Sequence, residues 1–81
     1  MRLIGRSTSR GARKRVAFLT ERESEVLEWV ARGKSAREIG AILHIAKRTV
    51  DAHVHSAIRK IGAANRTNAV AIAIRDRIIE L

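Results

Sequence analysis

Between Ser35 and Gly62 the chain sets a short helical pattern, a break of about three residues and a longer helical pattern. That spacing restricts the fold more than any other feature. Ile39, Ile42 and Leu43 recur at the interval that places side chains on one face of a helix. Ser35 and Glu38 ahead of them form a capping-box pattern, in which hydroxyl and carboxylate satisfy two amides that the helix leaves without partners. His44-Ile45-Ala46 then interrupts the period. From Lys47 to Ile61 a second row, Val50, Val54, Ala57, Ile58 and Ile61, turns inward, and Gly62 suits a left-handed cap. A short helix, a tight turn and a longer helix predict a helix-turn-helix. In that unit the first helix crosses a DNA backbone and the second enters the major groove.

The flanks complete an all-α, four-helix bundle. Thr20 with Glu23 repeats the capping box, Leu19 packs on the first turn, and Val26, Leu27, Val30 and Ala31 share a face beside Trp29 up to the stop at Gly33. Thr67 is the expected cap of a fourth helix running to about Glu80. Its Ala69-Val70-Ala71-Ile72-Ala73-Ile74 run is apolar on all sides. Val70, Ala73 and Ile74 are expected to close the core, which leaves Ala71, Ile72, Arg75 and Ile79 as an outward face fitted to a second copy of the chain. The domain therefore spans 19–81. Residues 1–18, broken by Gly5, Gly11 and Ser7-Thr8-Ser9, read as a flexible basic arm or linker.

Charge narrows the partner. Six of the 17 Lys and Arg residues (Arg2, Arg6, Arg10, Arg13, Lys14, Arg15) precede position 19, with no acid among them. A net charge of +9 favours a polyanion, because each phosphate contact releases condensed counterions. With no cysteine there is no disulfide or thiolate metal site, and a reducing cytoplasm fits. No apolar run approaches the ~20 residues of a membrane span, and the first residues lack the apolar segment of a secretory signal.

The outer face of the 47–61 helix carries the chemistry. Lys47 and Arg48 stand in its first turn, where the helix end already bears partial positive charge, and Ala46 offers no capping side chain. An anion there would answer both the cations and the open amides. With the valines inward, Arg48, Asp51, Ala52 and His55 project together as the base-reading set. Arg48 suits guanine, Asp51 the exocyclic amine of cytosine, Ala52 a thymine methyl and His55 a purine ring nitrogen. Asp51 has a purely local alternative, offsetting the helix dipole or pairing with His55. Thr49, His53, Ser56 and Lys60 line the flank for phosphate contact together with Lys47, and Lys34, Ser35 and Arg37 would grip the backbone across the groove.

These residues, spaced as Leu19-Thr20-Glu21-Arg22-Glu23, Glu25-Val26-Leu27, Gly33-Lys34-Ser35, Glu38-Ile39, Leu43, Ile45, Thr49-Val50, His53, Lys60-Ile61-Gly62, Asn65-Arg66-Thr67 and Ala69-Val70-Ala71, resemble the LuxR-type (GerE-like) helix-turn-helix domain. The resemblance runs from residue 19 to about 79. It implies a transcription-factor domain that binds double-stranded DNA as a homodimer through its last helix, with base contacts at Arg48, Asp51, Ala52 and His55. Trp29, Gly33-Lys34-Ser35 and Ile42-Leu43 look closer to the quorum-sensing branch, whose separate N-terminal domain binds an acyl-homoserine lactone. Three positions depart from the pattern. Ala46 stands where Ser usually caps, Asp51 where Lys or Arg is common, and Ser56 where Asn is common.

Two other functions share part of this profile. One is non-specific nucleic-acid binding driven by the arm, which would fade with salt and ignore sequence. The other is a protein-interaction module contacting RNA polymerase, indifferent to Asp51 and His55. Catalysis is not expected. His53 and His55 diverge on the helix and form no metal pair, and no Gly-rich phosphate loop is present. No cofactor, metal, membrane or small-molecule ligand is expected for this chain.

Overall fold

The computed structural model describes residues 19–80, all in helices and short connections. The arm at 1–18 lies outside the described residues. Four helices follow one another: α1 (Glu21–Ala31), α2 (Ala36–Leu43), α3 (Lys47–Ile61) and α4 (Arg66–Arg75). Both expected capping boxes form. Thr20 Oγ1 accepts from the Glu23 amide at 3.0 Å while Glu23 Oε1 accepts from the Thr20 amide at 2.8 Å. Ser35 and Glu38 do the same at 3.1 and 2.8 Å. Gly62 ends α3 at φ 79°, a left-handed value that costs glycine little.

Helix α3 packs against each of the other three helices, and its inward row feeds two apolar clusters. Val50 and Val54 join Val26, Ala36 and Ile39 on the α2 side, where Trp29, Val30, Leu43, Ile45 and Ile58 close the rim. Ala57 joins Leu19, Leu27, Ala73, Ile78 and Ile79 on the α4 side, with Ala31, Ile61 and Val70 against them. Leu27 and Ile39 lose all solvent contact, each contributing about 1.5–3 kcal/mol of apolar burial. Ala57, Ala69 and Ala73 are fully buried, so small side chains set how closely α3 and α4 approach.

The turn between α2 and α3 depends on one close approach. A Cβ on Gly40 would lie 2.7 Å from the Ile45 carbonyl oxygen, so only glycine lets the turn fold back on α2. The Gly40 carbonyl in turn accepts from the His44 and Ile45 amides. His44 caps α2 at φ 62°, a left-handed conformation that a non-glycine residue adopts at a cost.

The last helix differs from expectation in three ways. Its cap is Asn65, not Thr67: Asn65 Oδ1 accepts from the Asn68 amide at 2.8 Å, and Asn68 Oδ1 accepts from the Ala64 amide at 2.9 Å. It stops at Arg75 instead of continuing to Glu80. Arg77 then turns left-handed at φ 59°, and the Ile78 and Ile79 amides return to the Ala73 carbonyl. This reversal drives Ile78 and Ile79 into the core, at 4% and 2% exposure. Because they fill the space that Ile74 was expected to fill, Ile74 remains outside at 44%. On α2, Ile42 is likewise 39% exposed, and the small residues Ala36 and Gly40 take the inward positions.

Candidate nucleic-acid interface

Among the described residues nothing packs over the outer side of α3 in the α2–turn–α3 unit. Arg48, Ala52 and His55 are exposed on it at intervals of about one turn, and Thr49 is exposed on the flank. Asp51 and His53 are half-buried at its margins. Among the described residues no side chain caps α3: Ala46 makes no such bond, and the first turn contains no acid. Open amides and cations therefore coincide at one helix end, where a phosphate would be stabilised by both.

Asp51 has a partner that the spacing arguments did not choose. Lys47 Nζ donates to Asp51 Oδ2 at 2.9 Å, four residues apart, with side chains 61% and 40% exposed. A solvent-exposed pair of this kind is worth about 0.2–1 kcal/mol, so exchanging it for a phosphate contact at Lys47 is cheap. Arg48 and His55 make no ion pair among the described residues. Across the groove edge, Lys34 is half-buried while Ser35 and Arg37 are exposed, and Ser35 already serves as the α2 cap.

Two members of the expected phosphate row face elsewhere. Ser56 Oγ donates to Glu23 Oε2 at 2.6 Å, and Lys60 Nζ donates to Glu23 Oε1 at 2.9 Å. Glu23 is only 5% exposed, so the far half of α3 is tied to the start of α1 through a buried carboxylate. A buried acid needs its oxygens satisfied, and these are the donors within reach. Burial pushes the Glu23 carboxyl up. Hydrogen bonds from Ser56, the Thr20 amide and Lys60, with the Lys60 charge, outweigh burial and hold it near about 2 against an ordinary 4.5. The sequence marked Glu23 only as a capping-box acid. Its second role joins residues 33 and 37 positions apart and has no local trace.

The proposed dimer face also changes. Ala71 and Arg75 are exposed and Ile72 is half-buried, but Ile79 belongs to the core and cannot meet a partner. Ile74 takes its place on the outside. Arg75 Nε donates to Asp76 Oδ1 at 2.9 Å, which raises the guanidinium pKa further. Among the described residues no helix is long and apolar enough to cross a membrane, and no cluster of three His, Cys, Asp or Glu could hold a metal ion.

Residues 17–73 match the family model described as bacterial regulatory proteins, luxR family. The transcriptional activator protein BjaR1 of Bradyrhizobium diazoefficiens is 61% identical over 75% of the chain and 25% of its own length. The HTH-type quorum sensing-dependent transcriptional regulator RpaR of Rhodopseudomonas palustris is 54% identical over 78% of the chain and 26% of its own. A putative HTH-type transcriptional regulator of Sinorhizobium fredii, y4qH, is 40% identical over 96% and 24%. The chain thus spans about a quarter of the length of these relatives.

Proposed function

Because the chain belongs to the luxR family of bacterial regulatory proteins, we propose that it reads double-stranded DNA by sequence, with α3 in the major groove, as part of a transcriptional regulator. Domains of this family are non-enzymatic DNA-binding units. The observation that carries the proposal is the uncapped, acid-free start of α3 beneath an uncovered row of Arg48, Ala52 and His55. Arg48 and His55 donate to purines, Ala52 meets a thymine methyl, and Asp51 accepts from a cytosine amine once Lys47 moves to phosphate. Lys47, Thr49 and His53 hold the backbone beside α3, while Lys34, Ser35 and Arg37 hold it at α2. The folded unit is residues 19–81, with 1–18 adding charge along the duplex.

Assembly on DNA is through α4 of two copies, with Ala71, Ile72, Ile74 and Arg75 as the self-complementary face. The site of action is the cytoplasm, where the chromosome lies. Similarity to RpaR, a quorum sensing-dependent regulator, supports a place in quorum-dependent regulation. The test is selection of random duplexes by the 81-residue protein at physiological salt, followed by sequencing of the bound pool. A palindromic motif with half-sites ~10 bp apart supports a sequence-reading dimer. An unenriched pool whose retention falls steeply with salt would replace it with non-specific binding driven by charge.

A further inference from the structure

A cleft separate from the base-reading face opens between the α1–α2 connection and the first turns of α4. It holds about 440 Å³. Val30 and Val70 contribute its apolar surface, Lys34 and Ser35 stand on one wall, and Arg66 and Thr67 stand on the other. Among the described residues no carboxylate lines it. Helices α2 and α4 do not pack on one another, so the two walls face each other across open space.

Neither Lys34 nor Arg66 forms an ion pair among the described residues. Lys34 is nevertheless half-buried, and its charge is felt by Glu38, whose carboxyl is held down mainly by the Ser35 amide and hydroxyl and to a smaller extent by Lys34. Two cations lining one slot with no counter-charge between them repel each other, and an anion seated there relieves that repulsion. An ammonium, a guanidinium and two hydroxyls lining one cleft are donors suited to the oxygens of a phosphate. Lys34 and Ser35 also lead directly into α2, the helix that rests on α3.

We propose that this cleft grips a backbone phosphate of the duplex that α3 reads, with Lys34 and Arg66 as paired charged donors. The inference rests on the DNA-reading role proposed above and extends the contact surface to α4, making Arg66 and Thr67 backbone-positioning residues that carry no base preference.

Arg66 is exposed and lies at the first position of α4, so its truncation leaves the core untouched. The experiment titrates the full 81-residue chain, wild type and Arg66→Ala, against the selected duplex and an unrelated duplex of equal length over a range of salt. Folding is checked by far-UV circular dichroism. The expected result is an equal loss of affinity on both duplexes and a slope of log K against log salt that falls by about one. Arg66→Lys restores the slope, and Thr67→Val weakens both duplexes without changing it. An unchanged slope for Arg66→Ala, with the wild type still discriminating the duplexes, overturns the cleft proposal and leaves the DNA-reading role intact. A wild type that fails to discriminate overturns the DNA-reading role itself. Arg66-dependent binding of a labelled acidic-apolar peptide, with the salt slope on DNA unchanged, would assign the cleft to a protein partner and also overturn the proposal.

Discussion

Substituting Glu23 by glutamine isolates the energy of the contact that ties α3 to α1. Glu23 is 5% exposed and its two oxygens take the Thr20 amide, Ser56 Oγ and Lys60 Nζ. The fall of its pKa from 4.5 to about 2 corresponds to ~3 kcal/mol favouring the folded state when the carboxyl is ionised. That is an upper bound, because the Lys60 side chain is 32% exposed and water screens its share. A depressed carboxyl contributes its full stability above pH 4.5 and loses it as pH falls from there through about 2. Glutamine removes the charge but keeps the shape, so Glu23→Gln should destabilise by about 2–3 kcal/mol at pH 7. Urea unfolding followed by far-UV circular dichroism, for both proteins at steps between pH 7 and pH 2, measures the difference. Subtracting the two curves cancels the other titrating acids. The gap should close progressively below pH 4.5 and be under ~0.5 kcal/mol at pH 2. A gap that stays constant across that range would refute the reasoning, since the loss would then come from shape and not from charge. Lys60→Met gives a second handle: with the cation gone, the acid midpoint of the Glu23 contribution should move to higher pH.

Gly40→Ala should lower stability by about 1–3 kcal/mol in a thermal melt, because the new methyl meets the Ile45 carbonyl oxygen at 2.7 Å and the turn must shift. His44→Gly should raise stability by up to about 1 kcal/mol in the same melt, since it removes the left-handed strain at φ 62°. Ile79→Ala should cost 2–5 kcal/mol, a cavity effect of about that size being expected for a core isoleucine. Ile74→Glu should leave the melt nearly unchanged while weakening a two-half-site duplex more than a single half-site in a binding titration. Equal losses on the two duplexes would remove α4 as the dimer face. His55→Ala should alter preference at one base pair by ~1–3 kcal/mol, whereas Arg37→Ala should weaken every duplex alike, read by competition titration.

Much of this was legible locally. Capping boxes at Thr20 and Ser35, the apolar periods of α1 to α3 and the cap at Gly62 are short-range relations between neighbouring side chains and amides, so their residues announce them in order. The exposed row on α3 follows from the same period, because turning Val50 and Val54 inward leaves Arg48, Ala52 and His55 outside. What failed were readings in which one residue had two possible destinations. By helical period alone Ser56 and Lys60 belong to a phosphate-contacting row, but the fold brings Glu23 within 3 Å of both. Ile74 and Ile79 were assigned opposite sides of a single helix that in fact ends between them at Arg75.

The sequence by itself determined that four helices form, where three of them begin and end, and which side of α3 faces out, because hydrogen-bond caps and the 3.6-residue period act within a few positions of each other. Only the tertiary structure decided the reversal at Arg77, the burial of Ile78 and Ile79, the Glu23 lock and the cleft between the α1–α2 connection and α4. Each of those is a competition for space or for a buried charge between segments far apart in the chain, and its outcome depends on which apolar volume remains unfilled once α1, α3 and α4 have packed.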